Sequence, residues 1–205
     1  MNENIKDENL FLYHYFDKSK GPFKNLSSLS IEEGIRMQNK LIEEKIGAHA
    51  FFTSKKNDGY IERRKELEKI AINMFIEKDG TPKSFYPHYF TLQDCKWLES
   101  WYLEPNYIKI CITELNTNEI SFSYGDLFPT FSDSVDNNKE YSKKIYTFTE
   151  IKEVIKKFGF PQDWNPNRMY APEAYIEAHL WNEDISKILK NGTYNYNIKE
   201  RTNCT

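Results

Sequence analysis

Residues 173–181 read EAYIEAHLW, and the fold turns on how this stretch is placed. Alternation at period two puts Ala174, Ile176, Ala178 and Leu180 on one face, and Tyr175, Glu177, His179 and Trp181 on the other. The first set is small and apolar and is expected to press on a helix. The second set holds a carboxylate and an imidazole between two large aromatics. A solvent-facing set would more often carry Thr, Lys or Ser, and a fully buried set rarely carries Glu. A cleft wall satisfies both conditions; a half-exposed edge strand with aromatic cross-strand partners is the other reading.

Working outward, four more β-type runs are expected: Leu10 to Phe16, His88 to Leu92, Tyr107 to Thr113 and Glu119 to Tyr124. Leu115-Asn-Thr-Asn118 reads as a turn joining the last two into a hairpin. Helices are expected at 31–46, 59–78 and 150–158. The first follows the capping box Ser30-Ile-Glu-Glu33 and the third follows Thr147-Phe-Thr-Glu150. The second starts behind Asp58 as N-cap. It carries an apolar stripe of Ile61, Leu67, Ile70, Met74 and Phe75, with Arg63, Arg64, Lys65 and Glu68 on the outer face. The third should pack on the sheet through Ile151, Val154, Ile155 and Phe158 and end at Gly159. Ser132 to Glu140 reads as a mobile loop, and a last helix is expected at 183–190. Helices early and late around a run of strands disfavour a regular βαβ repeat. The expected fold is a single mixed α+β domain with a largely antiparallel central sheet flanked by helices. It spans residues 10–190, between a disordered 1–9 and a frayed, Asn-rich 191–205.

The chain has 205 residues, enough for one domain with a core of its own. Hydrophobic residues make up 39% and aromatics 16%, which argues against general disorder. The formal charge of −3 gives no global basic field for nucleic acid, although a local patch would suffice. Cys95, Cys111 and Cys204 form no C-x-x-C pair, so a zinc knuckle or thioredoxin-type motif is excluded and no metal is expected. The polar first nine residues do not resemble a signal peptide, and no apolar run reaches transmembrane length. A cytoplasmic location follows as an expectation. The heavy use of Lys, Asn and Ile suggests an AT-rich bacterial or phage genome.

Three further stretches offer side chains for chemistry. In Leu12–Phe16 the ring of His14 points away from Tyr13 and Tyr15, either as a core histidine bonded to backbone or as a ligand contact. In Ser121-Phe-Ser-Tyr-Gly-Asp126, Ser121 and Ser123 share one face and Phe122 and Tyr124 the other. Two hydroxyls on one face can orient a ribose or a carboxylate, or simply face solvent. Arg63 and Arg64 sit in the densest basic region. Arg64 and Glu68 form an i, i+4 pair on a solvated face, and phosphate contact is the functional alternative.

A His-bearing first strand, a hydroxyl-bearing middle strand and a late strand with one Glu, in that order, resemble the ADP-ribosyltransferase superfamily. The opening LYHYF followed by NLSSLSIEEG is similar to the start of DarT-like members. The resemblance implies NAD as substrate and Glu177 as the catalytic glutamate. It implies that His14 holds the nicotinamide ribose or amide, and that Ser121, Ser123 or Tyr124 fills the middle motif. Arg63 or Arg64 would meet the pyrophosphate, and His179 would line the nucleotide site. There is no Ser-Thr-Ser, and Tyr175 stands two residues before Glu177 where arginine- or Rho-modifying members have Glu or Gln. The implied acceptor is therefore a nucleic acid or a small molecule. The rival expectation is a non-enzymatic domain whose aromatic cleft holds a nucleotide or a partner loop. A P-loop, a Rossmann fingerprint and Gly-x-Ser-x-Gly are all absent.

Overall fold

The computed structural model describes residues 5–44, 59–132 and 138–185. Five strands are present: β1 (Phe11–Asp17), β2 (His88–Leu92), β3 (Pro105–Cys111), β4 (Ile120–Tyr124) and β5 (Ile176–Leu180). Among them run the helices α1 (Ile31–Glu43), α2 (Tyr60–Ile76), α3 (Lys96–Glu99), α4 (Leu127–Thr130), α5 (Phe148–Phe158) and α6 (Pro161–Trp164). The strands form one sheet in the order β3-β1-β2-β5-β4, and every neighbouring pair is antiparallel. This is the expected α+β architecture.

Local signals set the helix starts. Ser30 Oγ accepts from the Glu33 amide while Glu33 accepts from the Ser30 amide, and Thr147 and Glu150 do the same at α5. Each such cap is worth about 1 kcal/mol. Asp58 lies outside the described residues; the N-cap of α2 is Gly59 in a left-handed conformation. Residues 133–137 and 186–205 also lie outside the description, so neither the Ser132–Glu140 loop nor the 183–190 helix and its tail can be compared in full.

Two expectations are corrected. β3 and β4 are not a hairpin: they lie at opposite edges of the sheet. β3 gives its hydrogen bonds to β1 over seven residue pairs, and the 112–119 segment winds through two 3-10 turns, Ile112–Glu114 and Thr117–Glu119, before β4 begins. β3 therefore ends two residues earlier than the apolar run. Near the N-terminus, Asp7–Asn9 form a 3-10 turn, Lys152 pairs with Asp7, and Ile5 packs on the core. Residues 5–9 are thus structured.

The main core lies between one face of the sheet and α5. Leu12, Leu92, Ile176, Ala178, Leu180 and Phe122 meet Ile151 and Ile155 there, with Val154 and Phe158 at its margin. The opposite face is also covered. Trp181 packs with Leu67, Ala71 and Phe75 of α2, so Ile70 and Met74 lie at the periphery of this second cluster. The outer edge of β4 is partly closed by Tyr146, whose N–H and C=O both bond Phe122, which limits edge-to-edge pairing. Among the described residues no helix is long and apolar enough to cross a membrane.

Candidate functional site

β1 and β2 pair only at Leu12–Leu92 and Tyr13–Thr91. β1 then stays with β3 as far as Asp17–Pro105, and β2 stays with β5 as far as His88–Leu180. The sheet forks, and a cavity of about 770 Å³ opens at the fork, within the range of small-molecule sites. His14, Glu177, Arg63 and Arg64 all line it. Ser121, Ser123, Tyr124 and His179 are not among its lining residues.

Glu177 forms the floor. Only 7% of the residue is exposed. Its Oε2 accepts from the Leu127 amide at 3.1 Å and contacts His179 Nε2 at 3.1 Å. Burial pushes its carboxyl up to about 8, because a charge there has lost its water. A second carboxyl, Asp126, lines the same cavity. Burial, and then the charge of Glu177, push Asp126 up to about 6. Asp126 caps α4 by accepting from the Phe128 amide at 2.8 Å, and it accepts from the Tyr175 hydroxyl at 3.2 Å. Gly125, at φ 113°, makes the turn that delivers it; a Cβ there would press on Glu173 Cγ at 3.1 Å. Two carboxyls with separated proton affinities in one cavity can act as an acid–base pair.

The wall is aromatic and cationic. Arg64 lies 4.4 Å above the Tyr89 ring centroid. Its Nε donates to Ser27 Oγ at 2.8 Å and to Glu68 Oε1 at 3.1 Å, and its Nη1 donates to Tyr60 at 3.1 Å. Tyr89 donates to the same Glu68 oxygen at 2.7 Å. The pair read from the sequence as a solvated face is therefore internal: Glu68 is 1% exposed. Arg64, Ser27 and Tyr89 all donate to Glu68 Oε1, which offsets the cost of burying the carboxylate, while Oε2 is buried without a hydrogen-bond partner. Arg63 is paired with Glu66 at 2.8 Å and donates to the Phe131 carbonyl at 3.1 Å. Arg168 approaches from the far side, over Trp97 at 5.4 Å and at φ 55°.

His14 is committed to the fold. Its Nδ1 donates to the Tyr89 carbonyl at 2.8 Å and its Nε2 accepts the Phe23 amide at 2.9 Å. Phe23 stacks on the ring at 4.5 Å. Burial pulls its pKa down to about 4, so it is neutral at pH 7. The Tyr89 carbonyl would serve β1 in a continued ladder; the imidazole takes that place at the fork. His14 thus meets the cavity with its ring, both nitrogens being occupied by backbone. The other sequence candidates lie behind the floor or across the sheet. Ser123 donates to the Gly125 carbonyl at 2.6 Å. Tyr124 belongs to the α5 face, where its hydroxyl donates to the Gly159 carbonyl at 2.9 Å and accepts from Trp164 at 3.2 Å. Ser121 and His179 bond each other at 3.1 Å, both fully buried.

Asp126, Tyr89 and Arg168 were not singled out from the sequence. The signal for Asp126 was the strand end Ser-Tyr-Gly-Asp, where a Gly turn followed by a capping residue aims a carboxylate inward. Nothing local marks Tyr89 or Arg168. No protein-family model matches the chain, and no curated protein or solved structure matches it. Among the described residues there is no cluster of His, Cys, Asp and Glu able to hold a metal ion.

Proposed function

We propose that the cavity binds NAD and that the protein is an ADP-ribosyltransferase acting on a nucleic acid or a small-molecule acceptor. The observation that carries this reading is Glu177: a buried carboxyl at the floor of a nucleotide-sized cavity with aromatic and cationic walls. In the reaction the bond between the nicotinamide nitrogen and the ribose carbon breaks and its electron pair leaves with nicotinamide. The acceptor nucleophile bonds the same carbon and its proton is released. The developing positive charge on the ribose is what an ionised Glu177 would stabilise. A cationic ring beside Glu177 offsets the desolvation that keeps it protonated, so binding favours its carboxylate form. Asp126, which ionises more readily, is the group to receive the acceptor's proton. Tyr13 and Tyr102 line the cavity with half-buried rings suited to stacking, and Lys24 and Arg168 are lining cations that would meet phosphate. His14 serves by holding the fork open.

Calorimetry with NAD and a nicotinamide-release assay test this directly. Glu177→Gln should retain NAD affinity and lose about 10²–10⁴-fold in turnover, the range for removing one positioned catalytic group. Absence of NAD binding by the unaltered protein would refute the transferase reading. The second reading, a nucleotide-binding domain without chemistry, is favoured by one observation: Arg63, Arg64 and His14 are all engaged within the protein. NAD binding without nicotinamide release, with every acceptor class supplied, would select it.

A further inference from the structure

Behind the cavity floor, four side chains form a single hydrogen-bonded file. The Trp181 indole N–H donates to Ser121 Oγ at 2.9 Å. Ser121 Oγ lies 3.1 Å from His179 Nδ1, and His179 Nε2 lies 3.1 Å from Glu177 Oε2. The sheet register builds this file, since Ser121 faces His179 and Ser123 faces Glu177 across the β4–β5 ladder. Trp181, Ser121 and His179 are each 0% exposed, so bulk solvent does not reach them.

The direction of the file follows from which atoms must donate. An indole N–H only donates, so Ser121 Oγ is its acceptor. The Ser121 hydroxyl hydrogen then needs an acceptor of its own, and His179 Nδ1 is the one within reach. An Nδ1 that accepts leaves the ring proton on Nε2. Nε2–H therefore donates to Glu177 Oε2, which also accepts the Leu127 amide. Oε2 is saturated as an acceptor, while Oε1 takes no hydrogen bond from a described residue.

We propose that Ser121 and His179 are positioning residues: the His179 ring, held at Nδ1 by the Ser121 hydroxyl, keeps its proton on Nε2 and makes Glu177 Oε2 an acceptor, so that Oε1 is the oxygen presented to a ligand. This deepens the reading of Glu177 above and rests on it only for its catalytic meaning. A proton leaving Glu177 then departs from Oε1 into the cavity, and the carboxylate that remains keeps two N–H donors on Oε2. The other charged or titratable groups around Glu177 are Arg64 and Glu68 from α2, Asp126 ahead of α4, Tyr89 from β2 and Tyr175 ahead of β5. None of them bonds His179 in place of Ser121.

The test is nuclear magnetic resonance on the full chain, reading the ring nitrogens of His179 and the carboxyl carbon of Glu177 across pH. The unaltered protein should show Nε2 protonated and Nδ1 bare. Ser121→Ala removes the donor to Nδ1. The Nδ1 nitrogen should then lose its hydrogen-bond signature while Nε2–H keeps Oε2 as its acceptor, and with the ring no longer held at Nδ1 the Glu177 midpoint should rise by about one pH unit, a tenfold change in proton affinity. Trp181→Phe removes only the indole donor and should leave the His179 proton on Nε2. A proton on Nδ1 in the unaltered protein would overturn the proposal, as would a Glu177 midpoint that ignores Ser121→Ala. Should Ser121→Ala not fold, the position of the His179 ring proton in the unaltered protein still decides. The readout needs no NAD, so a protein inactive toward NAD would overturn the transferase reading and leave this one standing.

Discussion

The two faces of the sheet obey the same alternation and are both buried, yet they are held by different physics. The α5 face is dry and apolar: Ile151, Ile155, Phe122, Ala178 and their neighbours fill it. The α2 face carries Glu177, His179, Ser121, Thr91 and Ser123 at 7% exposure or less. Apolar burial needs only volume and shape. Polar burial needs each donor and acceptor matched, because an unmatched one costs the full loss of its hydration. The first face is therefore tolerant and mainly structural. The second is exacting, and it is where the cavity floor and the raised carboxyls of Glu177 and Asp126 lie.

Four perturbations would break or sharpen this contrast. The largest effect is expected on the polar face. Arg64→Met leaves Glu68 buried with its charge unpaired and should lower the unfolding free energy by roughly 3–5 kcal/mol. Adding Glu68→Leu to it should restore most of that loss, since removing both partners of a buried pair is often nearly neutral. Denaturant midpoints of the single and double variants measure this; a double variant no better than the single would mean that the pair does more than neutralise itself.

On the dry face, Ile151→Ala removes a side chain that is 0% exposed. It should cost about 3 kcal/mol through lost transfer energy and a cavity, and it should leave the Glu177 and Asp126 titrations unchanged. A shifted Glu177 midpoint in that variant would show that the faces are coupled.

The third perturbation is pH. His14 and His88 have folded values drawn down to about 4, and His179 to about 3, from an ordinary 6.5. Stability from burying them neutral is complete above 6.5 and is lost as pH falls through the folded values. Glu177 is raised from 4.5 to about 8, so its contribution is complete below 4.5 and is lost as pH rises through about 8. Stability should therefore decline on both sides of neutrality. In Glu177→Gln the alkaline decline should shrink by a few kcal/mol while the acid decline stays. Unfolding midpoints from about pH 4 to about pH 9 would show whether the two limbs separate in this way.

The smallest effect is expected at the turn that delivers Asp126. Gly125→Ala forces a Cβ into φ 113° and against Glu173 and Thr130. A cost of roughly 1–2 kcal/mol is expected, with the Asp126 titration moving because its cap on Phe128 is disturbed. An unchanged Asp126 midpoint would show that the cap, rather than Gly125, sets its place.

Local rules carried the elements themselves. The capping boxes at Ser30 and Thr147, the end of α5 at Gly159 and the alternation through 173–181 all depend on residues within four positions of one another, so they are legible without the rest of the chain. The same alternation located Glu177 on a polar face. Strand neighbours were not legible. Leu115–Asn118 resembles a turn, but β3 finds a longer partner in β1 than β4 could offer. The burial of Glu68 was equally hidden, because its partner Ser27 stands 41 positions away and Tyr89 stands 21 away.

What the sequence by itself determined is therefore the inventory: which segments are helix or strand, where they start, and which side chains share a face. Only the tertiary structure decided which of those side chains meet. It set Ser121 and His179 outside the cavity lining, hydrogen-bonded to one another behind Glu177, tied both nitrogens of His14 to backbone, and brought Asp126 to the cavity beside Glu177. The physical reason is range. Backbone hydrogen bonds and side-chain direction repeat over a few residues, whereas a buried polar group is satisfied by whatever donor the packed chain delivers, such as Ser121 to His179 across 58 positions.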